Sequence, residues 1–170
     1  MTDTAPAATT ELPRHHPWAP RGYRTLTPFL PVPAGTGAAA IDFLVAAFGA
    51  QVISRMDGED GVVWHSELLL GDGIVQVGDE IPSMGLLAGD GKSVHGSYVL
   101  YVEDVDAVTA RAVESGATLM SGPEDVFSGD RMSAVLTPTG HRFVLLTHLE
   151  DVSAEEVERR AREWMASGGQ

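Results

Sequence analysis

The chain repeats its helix ends and turns at a fixed spacing of 67 residues. Gly49 is matched by Gly116, and the turn glycine Gly73 is matched by Gly140. Residue identity between the two halves is low, so the repeat lies in the order of elements and not in the side chains. This repeated order constrains the fold more than any single motif in the chain.

The first half has the pattern of one helix among four strands. Apolar residues recur at i, i+3, i+4 and i+7 from Ile41, which is the spacing of an amphipathic helix, and Gly49 ends it. A hairpin is expected around a tight two-residue turn at Asp72 and Gly73. Strands are predicted over residues 25–32, 51–56, 62–70 and 74–77, and the helix over residues 38–48.

The second half repeats this order. Asp104 is in position to cap a helix that runs to Ser115. Strands are predicted over residues 97–102, 118–120, 131–136 and 142–147. Ser153 and Glu156 have the spacing of a capping box for a further helix. The sequence therefore predicts an α+β fold of two βαβββ modules with a C-terminal helix.

The predicted organisation has three parts. Residues 1–22 are rich in Ala, Thr and Pro without a period, and they are expected to be a disordered lead. The paired modules are expected over residues 23–150, the first at about 25–80 and the second at about 95–149, and the C-terminal helix over residues 151–170. His15 and His16 lie in the lead, where a mobile pair is a poor metal site.

Charge and composition exclude several classes of partner. The chain has 24 acidic and 11 basic residues, a formal net charge of −13, so nucleic acids and anionic membranes are not expected partners. It has no cysteine, which excludes disulfides, thiolate metal sites and a cysteine nucleophile. No secretory signal and no apolar run long enough to cross a membrane is found, and a cytoplasmic location is expected.

Four stretches carry a likeness to a known family. The segments LTPFLPV, AIDFLVAAFGAQV, HSELLLGDGIVQVGDE and GHRFVLLTHLEDVS resemble the vicinal oxygen chelate superfamily, which includes glyoxalase I, extradiol dioxygenases, fosfomycin resistance enzymes and bleomycin-binding proteins. The C-terminal segment is similar to the PhnB-like, or glyoxalase/bleomycin resistance, branch. The resemblance implies paired βαβββ modules that curl a concave sheet around a ligand, and it implies a homodimer.

The resemblance also implies where a divalent metal would be held. Carried over by the surrounding motifs, the four ligand places fall at Thr27, Gln76, Ser97 and Val144. Two neutral hydroxyls, one amide and one alkyl group do not offer the charged donors that a divalent ion needs. We therefore expect no metal and no other cofactor at these places, although a register slip that turned His95 inward would reopen the question.

His65 and Glu67 are the candidate catalytic residues. They lie two apart on a predicted strand and so point to the same side. They could bind a ligand or act as an acid/base pair, form a non-standard metal site with His148 or a partner chain, or form only a structural or solvent-facing pair. With the turn at Asp72 and Gly73, Leu69 is expected opposite Gln76, and Glu67 opposite Gly78.

Other residues on the same sides of their strands are candidates for contact with a ligand. Flat aromatic and apolar side chains suit an organic molecule, and a few polar groups at the rim would orient it. Besides Glu67 and His65, the candidate ligand-binding residues are Thr27, Phe29, Leu69, Gln76, Ser97, Tyr101, Met132, Arg142, Val144 and His148.

Three classes of function remain open from the sequence. The leading interpretation is a small-molecule-binding protein without the usual metal, which binds or sequesters a hydrophobic organic ligand in a resistance-like role. The alternative is an enzyme, either a metal-free isomerase or cyclase that uses His65 and Glu67 or a metal-dependent glyoxalase-like lyase. A structural or regulatory interaction module is the third.

Overall fold

The structure is a computed structural model that describes residues 20, 23–58, 60–89 and 96–166. The predicted disordered lead, with His15 and His16, lies outside these residues except for Pro20. His95 also lies outside them, so the described residues do not test whether it turns inward.

The first module forms a four-stranded sheet with one helix. Its elements are β1 (Phe29–Val32), α1 (Gly37–Phe48), β2 (Gln51–Asp57), β3 (Val63–Leu70) and β4 (Gly73–Asp79). The strand order is β1-β4-β3-β2, in which β1 runs parallel to β4 and the other pairs are antiparallel.

The second module repeats this arrangement. Its elements are β5 (Ser97–Tyr101), α2 (Val105–Glu114), β6 (Thr118–Asp125), β7 (Asp130–Leu136) and β8 (Arg142–His148), in the order β5-β8-β7-β6. A third helix, α3 (Ala154–Ala166), follows. The predicted α+β fold of two βαβββ modules with a C-terminal helix is confirmed.

The hairpin between β3 and β4 corrects one sequence prediction. Leu70 pairs with Gly73, so the turn consists of Gly71 and Asp72 and not of Asp72 and Gly73. Gly71 adopts the left-handed backbone at φ 60°, a conformation that glycine reaches without a steric penalty. The strands are displaced by two residues from the predicted register. A two-residue displacement leaves each side chain on its predicted face of the sheet.

Two strand lengths also differ from prediction. The first strand begins at Phe29, not at residue 25, and Pro28 directly precedes it. Proline has no N–H to donate to a neighbouring strand, which limits pairing here. The sixth strand runs on from Thr118 to Asp125, well past residue 120, through two irregularities in its pairing with β7.

The core lies between the two helices and one face of each sheet. α1 packs on the first sheet, α2 packs on the second, and the two helices contact each other. Phe48 from α1 meets Phe143 from β8 with ring centroids 4.9 Å apart. Buried apolar residues from both modules form one hydrophobic cluster. We call the sheet faces turned away from this helix layer the first and second outer faces.

The last strand of each module also fixes the start of that module's helix. In the first module the Asp79 carboxylate is buried and accepts hydrogen bonds from the backbone N–H groups of Thr36 and Gly37, both at 3.0 Å, and of Val63 at 2.7 Å. In the second, the Thr147 hydroxyl accepts from the Val105 N–H at 2.9 Å. These contacts orient each helix on its sheet because the first N–H groups of a helix lack partners within it.

One of the two hydrogen bonds of the predicted capping box is present at the start of the C-terminal helix. The backbone N–H of Glu156 donates to the Ser153 hydroxyl at 3.3 Å. Trp164 packs its ring on Phe127, with centroids 5.8 Å apart, and so ties the helix to the loop before β7. No helix among the described residues is both long and apolar enough to span a bilayer.

Candidate functional site

A row of four side chains crosses the first outer face, one from each strand. Glu67 of β3 lies opposite Gln76 of β4 and opposite Ser54 of β2, and Gln76 in turn lies beside Phe29 of β1. The prediction that Glu67 faces Gly78 and that Leu69 faces Gln76 was wrong, since Leu69 pairs with Ile74. Each of these side chains nevertheless lies on its predicted side of the sheet. The row therefore contains three of the predicted site residues, Phe29, Glu67 and Gln76.

The Glu67 carboxylate is the centre of a hydrogen-bonded cluster. The Ser54 hydroxyl donates to Glu67 Oε2 at 2.9 Å, and His65 Nε2 lies 3.4 Å from Glu67 Oε1. The Tyr23 hydroxyl lies close enough to this carboxylate to shift the pKa of both groups. We call Tyr23, Ser54, His65 and Glu67 the Glu67 cluster. His65 and Glu67 are therefore brought together as the sequence predicts.

These donors control the ionisation of the cluster. Hydrogen bonds from Tyr23 and then from Ser54 hold the pKa of Glu67 below its usual value, against the opposing effect of burial, and His65 adds to the lowering. The Glu67 contact in turn raises the pKa of Tyr23 to about 12. At neutral pH the cluster thus presents an ionised carboxylate that accepts hydrogen bonds.

An aromatic surface adjoins the cluster. The rings of Phe29 and His65 are stacked with an interplanar angle of 27° and centroids 6.2 Å apart. Gly78 makes this arrangement possible, because a Cβ there would lie 2.9 Å from Phe29 Cζ and 2.9 Å from the Trp64 carbonyl oxygen. The first outer face therefore combines one charged acceptor with a flat aromatic wall.

The equivalent row on the second outer face carries three apolar side chains and one serine. Val99 of β5 pairs with Val144 of β8, which lies opposite Ala134 of β7, and Ala134 lies opposite Ser121 of β6. In the neighbouring row Tyr101 is 62% exposed. That row holds Tyr101, Leu146 and Met132. Arg142 donates from Nη1 to the Ser97 hydroxyl at 2.7 Å at the edge of the face.

His148 belongs to a separate polar cluster. Its Nδ1 lies 2.9 Å from Asp130 Oδ1 and its Nε2 lies 3.1 Å from Asp151 Oδ1. These two contacts raise the pKa of His148, the Asp130 contact being the larger cause. Within one chain His148 does not meet His65 or Glu67. A metal site built from His65, Glu67 and the same chain's His148 is therefore not formed.

The four places that the family resemblance assigns to a metal do not suit one. Gln76 faces Glu67 on the first sheet, and Thr27 lies just before β1. Ser97 is bonded to Arg142, whose positive charge repels a cation, and Val144 has no donor atom. Among the described residues, no three His, Asp or Glu side chains are grouped so as to hold a metal ion. The donor set does not fit a divalent ion.

The open space of the protein lies at the surface and not in the core. The gap between α1 and β8, lined by Phe43, Leu44 and Phe143 among others, measures only about 10 Å³. A groove of about 640 Å³ runs between the two modules, with Leu26 and Ile74 on one side and Val99 and Tyr101 on the other. A drug-sized molecule requires a space of at least about 300 Å³, which the core gap does not offer.

Sequence reasoning missed two members of the Glu67 cluster. Ser54 could have been found, because pairing the predicted second strand with β3 places a side chain of β2 beside Glu67. Tyr23 gave no signal, since it lies before the periodic part of the chain and outside β1. Residues outside regular elements have no periodicity from which to infer a face.

Comparison with known proteins shows the family. The sequence model of the Glyoxalase/Bleomycin resistance protein/Dioxygenase superfamily matches residues 25–145. The chain belongs to this superfamily, which confirms the predicted resemblance at that level. It is 35% identical over 129 residues to an uncharacterised protein of Mycobacterium tuberculosis (strain ATCC 25618 / H37Rv), covering 71% of this chain and 74% of the relative.

Two solved structures have the same architecture. TioX from Micromonospora sp. ML1 has a TM-score of 0.59 at 26% identity, covering 73% of this chain and 98% of that protein. TnmS3, an antibiotic binding protein from Streptomyces sp. CB03234, has a TM-score of 0.51 at 25% identity, covering 72% of this chain and 93% of that protein.

Proposed function

We propose that this chain binds a small, largely hydrophobic organic ligand at its outer faces, in a sequestering or resistance-like role. The observation that carries the proposal is the composition of these faces, where one ionised acceptor, Glu67, stands beside aromatic and aliphatic side chains. Such a surface gives affinity through apolar contact and orientation through one hydrogen-bonding group. The likeness to TnmS3, an antibiotic binding protein, supports the same class of function.

The ionisation of Glu67 favours binding over acid/base turnover. A general base works best when its pKa lies near the operating pH. The hydrogen bonds from Tyr23 and Ser54 lower the pKa of Glu67 and so move this carboxylate away from that range. An ionised carboxylate has about four acceptor positions, so Glu67 can accept a ligand's hydrogen-bond donor in addition to its contacts with Ser54 and His65.

We propose that a second copy of the chain completes the binding cup. Each outer face points away from the helix layer, so one chain does not close its two faces on each other. Large apolar side chains remain exposed on or beside the two sheets, including Met56 at 59%, Val99 at 59% and Tyr101 at 62%. A homodimer in which outer faces meet would remove these groups from water and enclose the ligand.

Binding is proposed to be independent of a divalent metal. The support is the poor donor set at Thr27, Gln76, Ser97 and Val144. Membership of the PhnB-like branch stays a prediction, which a family tree of relatives would check. A cytoplasmic location also stays a prediction, which cell fractionation would check.

Thermal unfolding with a panel of aromatic antibiotics and simple aromatic compounds tests the proposal. A binder shows a rise in melting temperature that grows with ligand concentration, while the recovered ligand is chemically unchanged. Chemical conversion of a bound compound would contradict the sequestering role.

The second candidate function is a metal-free acid/base enzyme. The 3.4 Å approach of His65 Nε2 to Glu67 Oε1 is the observation that favours it. In that case product forms after treatment with a chelator, and His65→Ala lowers the rate about 100-fold. A binding protein shows no product with either form.

A further inference from the structure

Gly78 occupies a position in the sheet where glycine is a costly residue. It lies inside β4, which pairs with β1 on one side and with β3 on the other. Glycine weakens the interior of a strand, because it loses more chain entropy on folding and has no side chain to pack. Gly78 is not one of the glycines with a positive φ, so its backbone conformation does not require glycine. The reason for glycine at this position is therefore space.

The space above Gly78 is taken by the ring of Phe29. Gly78 and Gln76 are two apart on β4, so a side chain at position 78 would point to the first outer face. A Cβ there would lie 2.9 Å from Phe29 Cζ, which is closer than two such carbon atoms normally approach. Phe29 belongs to β1, and its ring reaches across to Gly78. The ring therefore fills a notch that only glycine leaves open.

Backbone from β3 bounds the other side of this notch. The same Cβ would lie 2.9 Å from the Trp64 carbonyl oxygen and 3.4 Å from that of Val63. The pairing of β3 with β2 is irregular here, since its register passes from His65 to Val63 and skips Trp64. Paired backbone moves less easily than a ring at the end of a side chain. A larger residue at position 78 would therefore push the Phe29 ring away from the sheet.

We propose that Gly78 is a positioning residue that makes the first outer face selective for planar aromatic ligands. It lets the Phe29 ring lie close to the sheet beside the His65 ring, with centroids 6.2 Å apart and an interplanar angle of 27°. The two nearly parallel rings offer a planar ligand a surface for stacking, which a saturated ring cannot use in the same way. This inference rests on the proposed function, because it names the ligand class of the same face.

Both rings are held in place before a ligand arrives. The Phe29 ring is held by the notch, and the His65 ring is held by the contact of its Nε2 with Glu67 Oε1 at 3.4 Å. Both residues remain partly exposed, so a ligand can reach them. Side chains that are already ordered lose little further freedom on binding, which favours affinity. The position of the Phe29 ring therefore matters for binding, and Gly78 sets it.

The test compares 2-naphthol with decahydro-2-naphthol by isothermal titration calorimetry. The two probes have the same carbon skeleton and hydroxyl group, but only 2-naphthol is planar and aromatic. We expect the wild type to bind 2-naphthol about five times more tightly, the amount that one aromatic contact provides beyond its buried area. Gly78→Ala should reduce this preference to about twofold or less. Phe29→Leu should do the same, since it keeps an apolar side chain without a ring.

A control and a double variant separate the role of Gly78 from a general effect on the strand. Gly122→Ala is the control, because Gly122 also lies in a strand, β6, and a Cβ there would meet no atom within 4 Å. It should leave the preference intact. The double variant Gly78→Ala/Phe29→Leu should have no lower preference than either single variant, because both act through the same ring. If Gly78→Ala fails to fold and the double variant folds, the steric contact with the Phe29 ring is confirmed.

The outcomes separate this inference from the proposed function. Equal binding of the two probes by the wild type would show that the face binds hydrophobic ligands without regard to planarity, and only the inference would be wrong. If neither probe binds, both the inference and the binding of simple aromatic compounds by this face are overturned. A preference that survives Gly78→Ala contradicts the role of Gly78. If both Gly78→Ala and the double variant fail to fold, the glycine serves the Trp64 backbone and the inference is again wrong.

Discussion

The two modules share one framework but differ where they meet solvent and where their helices begin. At equivalent positions, the row of Phe29, Gln76, Glu67 and Ser54 on the first sheet becomes Val99, Val144, Ala134 and Ser121 on the second. The row on the first face carries the charged acceptor Glu67, and the row on the second has no charged side chain. In the proposed function, the first module supplies orientation to the ligand and the second supplies apolar area.

The helix starts differ in a similar way. α1 has no side-chain cap from Thr36 and relies on the buried Asp79 carboxylate. α2 is capped by Asp104, which accepts from the Ala107 N–H at 2.9 Å, and is also held by Thr147. The first module therefore relies on one buried carboxylate at the start of its helix. The second divides this role between the exposed Asp104 carboxylate and the Thr147 hydroxyl.

The largest effect is expected from removing that charged group. Asp79→Ala leaves three backbone donors without their acceptor, two of them at the start of α1, and should lower the free energy of unfolding by about 4 kcal/mol. Thr147→Val, at the equivalent place, should cost only about 1–2 kcal/mol because Asp104 remains. Urea denaturation of the two variants measures both values. Equal losses would contradict the difference between the modules.

The next effect concerns the proposed dimer. Tyr101→Asp places a charge on the second outer face and should raise the dimer dissociation constant by about tenfold or more. Met84→Asp is the matched control, since Met84 is 78% exposed but belongs to a short 3-10 helix and not to a strand of either sheet. Sedimentation analysis over a range of concentrations gives the constants. A monomeric wild type, or equal weakening by both variants, would show that the outer faces do not meet.

Acid should weaken the contribution that the Glu67 cluster makes to the stability of the fold. The pKa of Glu67 is lowered by folding, so its stabilising contribution is present above the usual carboxyl pKa of about 4.3 and is lost as the pH falls through the folded value. The difference in melting temperature between wild type and Glu67→Gln should therefore be present at pH 7 and shrink as the pH falls below about 4.3. A difference that persists in acid would show that the ionised form is not the stabilising one.

The contribution of His148 and its two aspartate partners to stability should have the opposite pH dependence, and it should be the smallest of these effects. Asp130 and Asp151 raise the pKa of His148, so its contribution is fully present below the usual histidine pKa of about 6.5 and is lost as the pH rises through the folded value. His148→Gln should lower the melting temperature at about pH 5.5, and this loss should shrink as the pH rises above about 6.5. The effect is small because the His148 side chain is 52% exposed. The reverse pH trend would contradict this assignment.

The framework was predictable because periodicity, capping residues and turn glycines repeat in both halves. The faces of His65 and Glu67 followed from strand parity alone, and they survived an error of two residues in the hairpin register. The turn itself was misplaced because both Gly71-Asp72 and Asp72-Gly73 satisfy the same local preference for glycine and aspartate. Local turn chemistry could not choose between them, whereas pairing along the full strands does.

The partners of the site residues were harder to predict. Asp130 contacts His148 because β7 and β8 bring them opposite each other, across 18 positions of sequence. Tyr23 reaches Glu67 from an irregular segment, 44 positions away along the chain. Contacts of this kind depend on the folded path of the backbone and not on a local pattern.

The most direct test of whether the outer faces form a metal-independent receptor for an organic ligand is calorimetric titration of 2-naphthol. The compound is titrated into protein stripped with a chelator and into the same protein reloaded with Zn²⁺, Ni²⁺ or Mn²⁺. We expect saturable binding with the same dissociation constant, within about twofold, in both forms, because no charged ligand set for the ion exists at the four family positions. Binding that appears only after about one ion per chain has been restored would contradict the account.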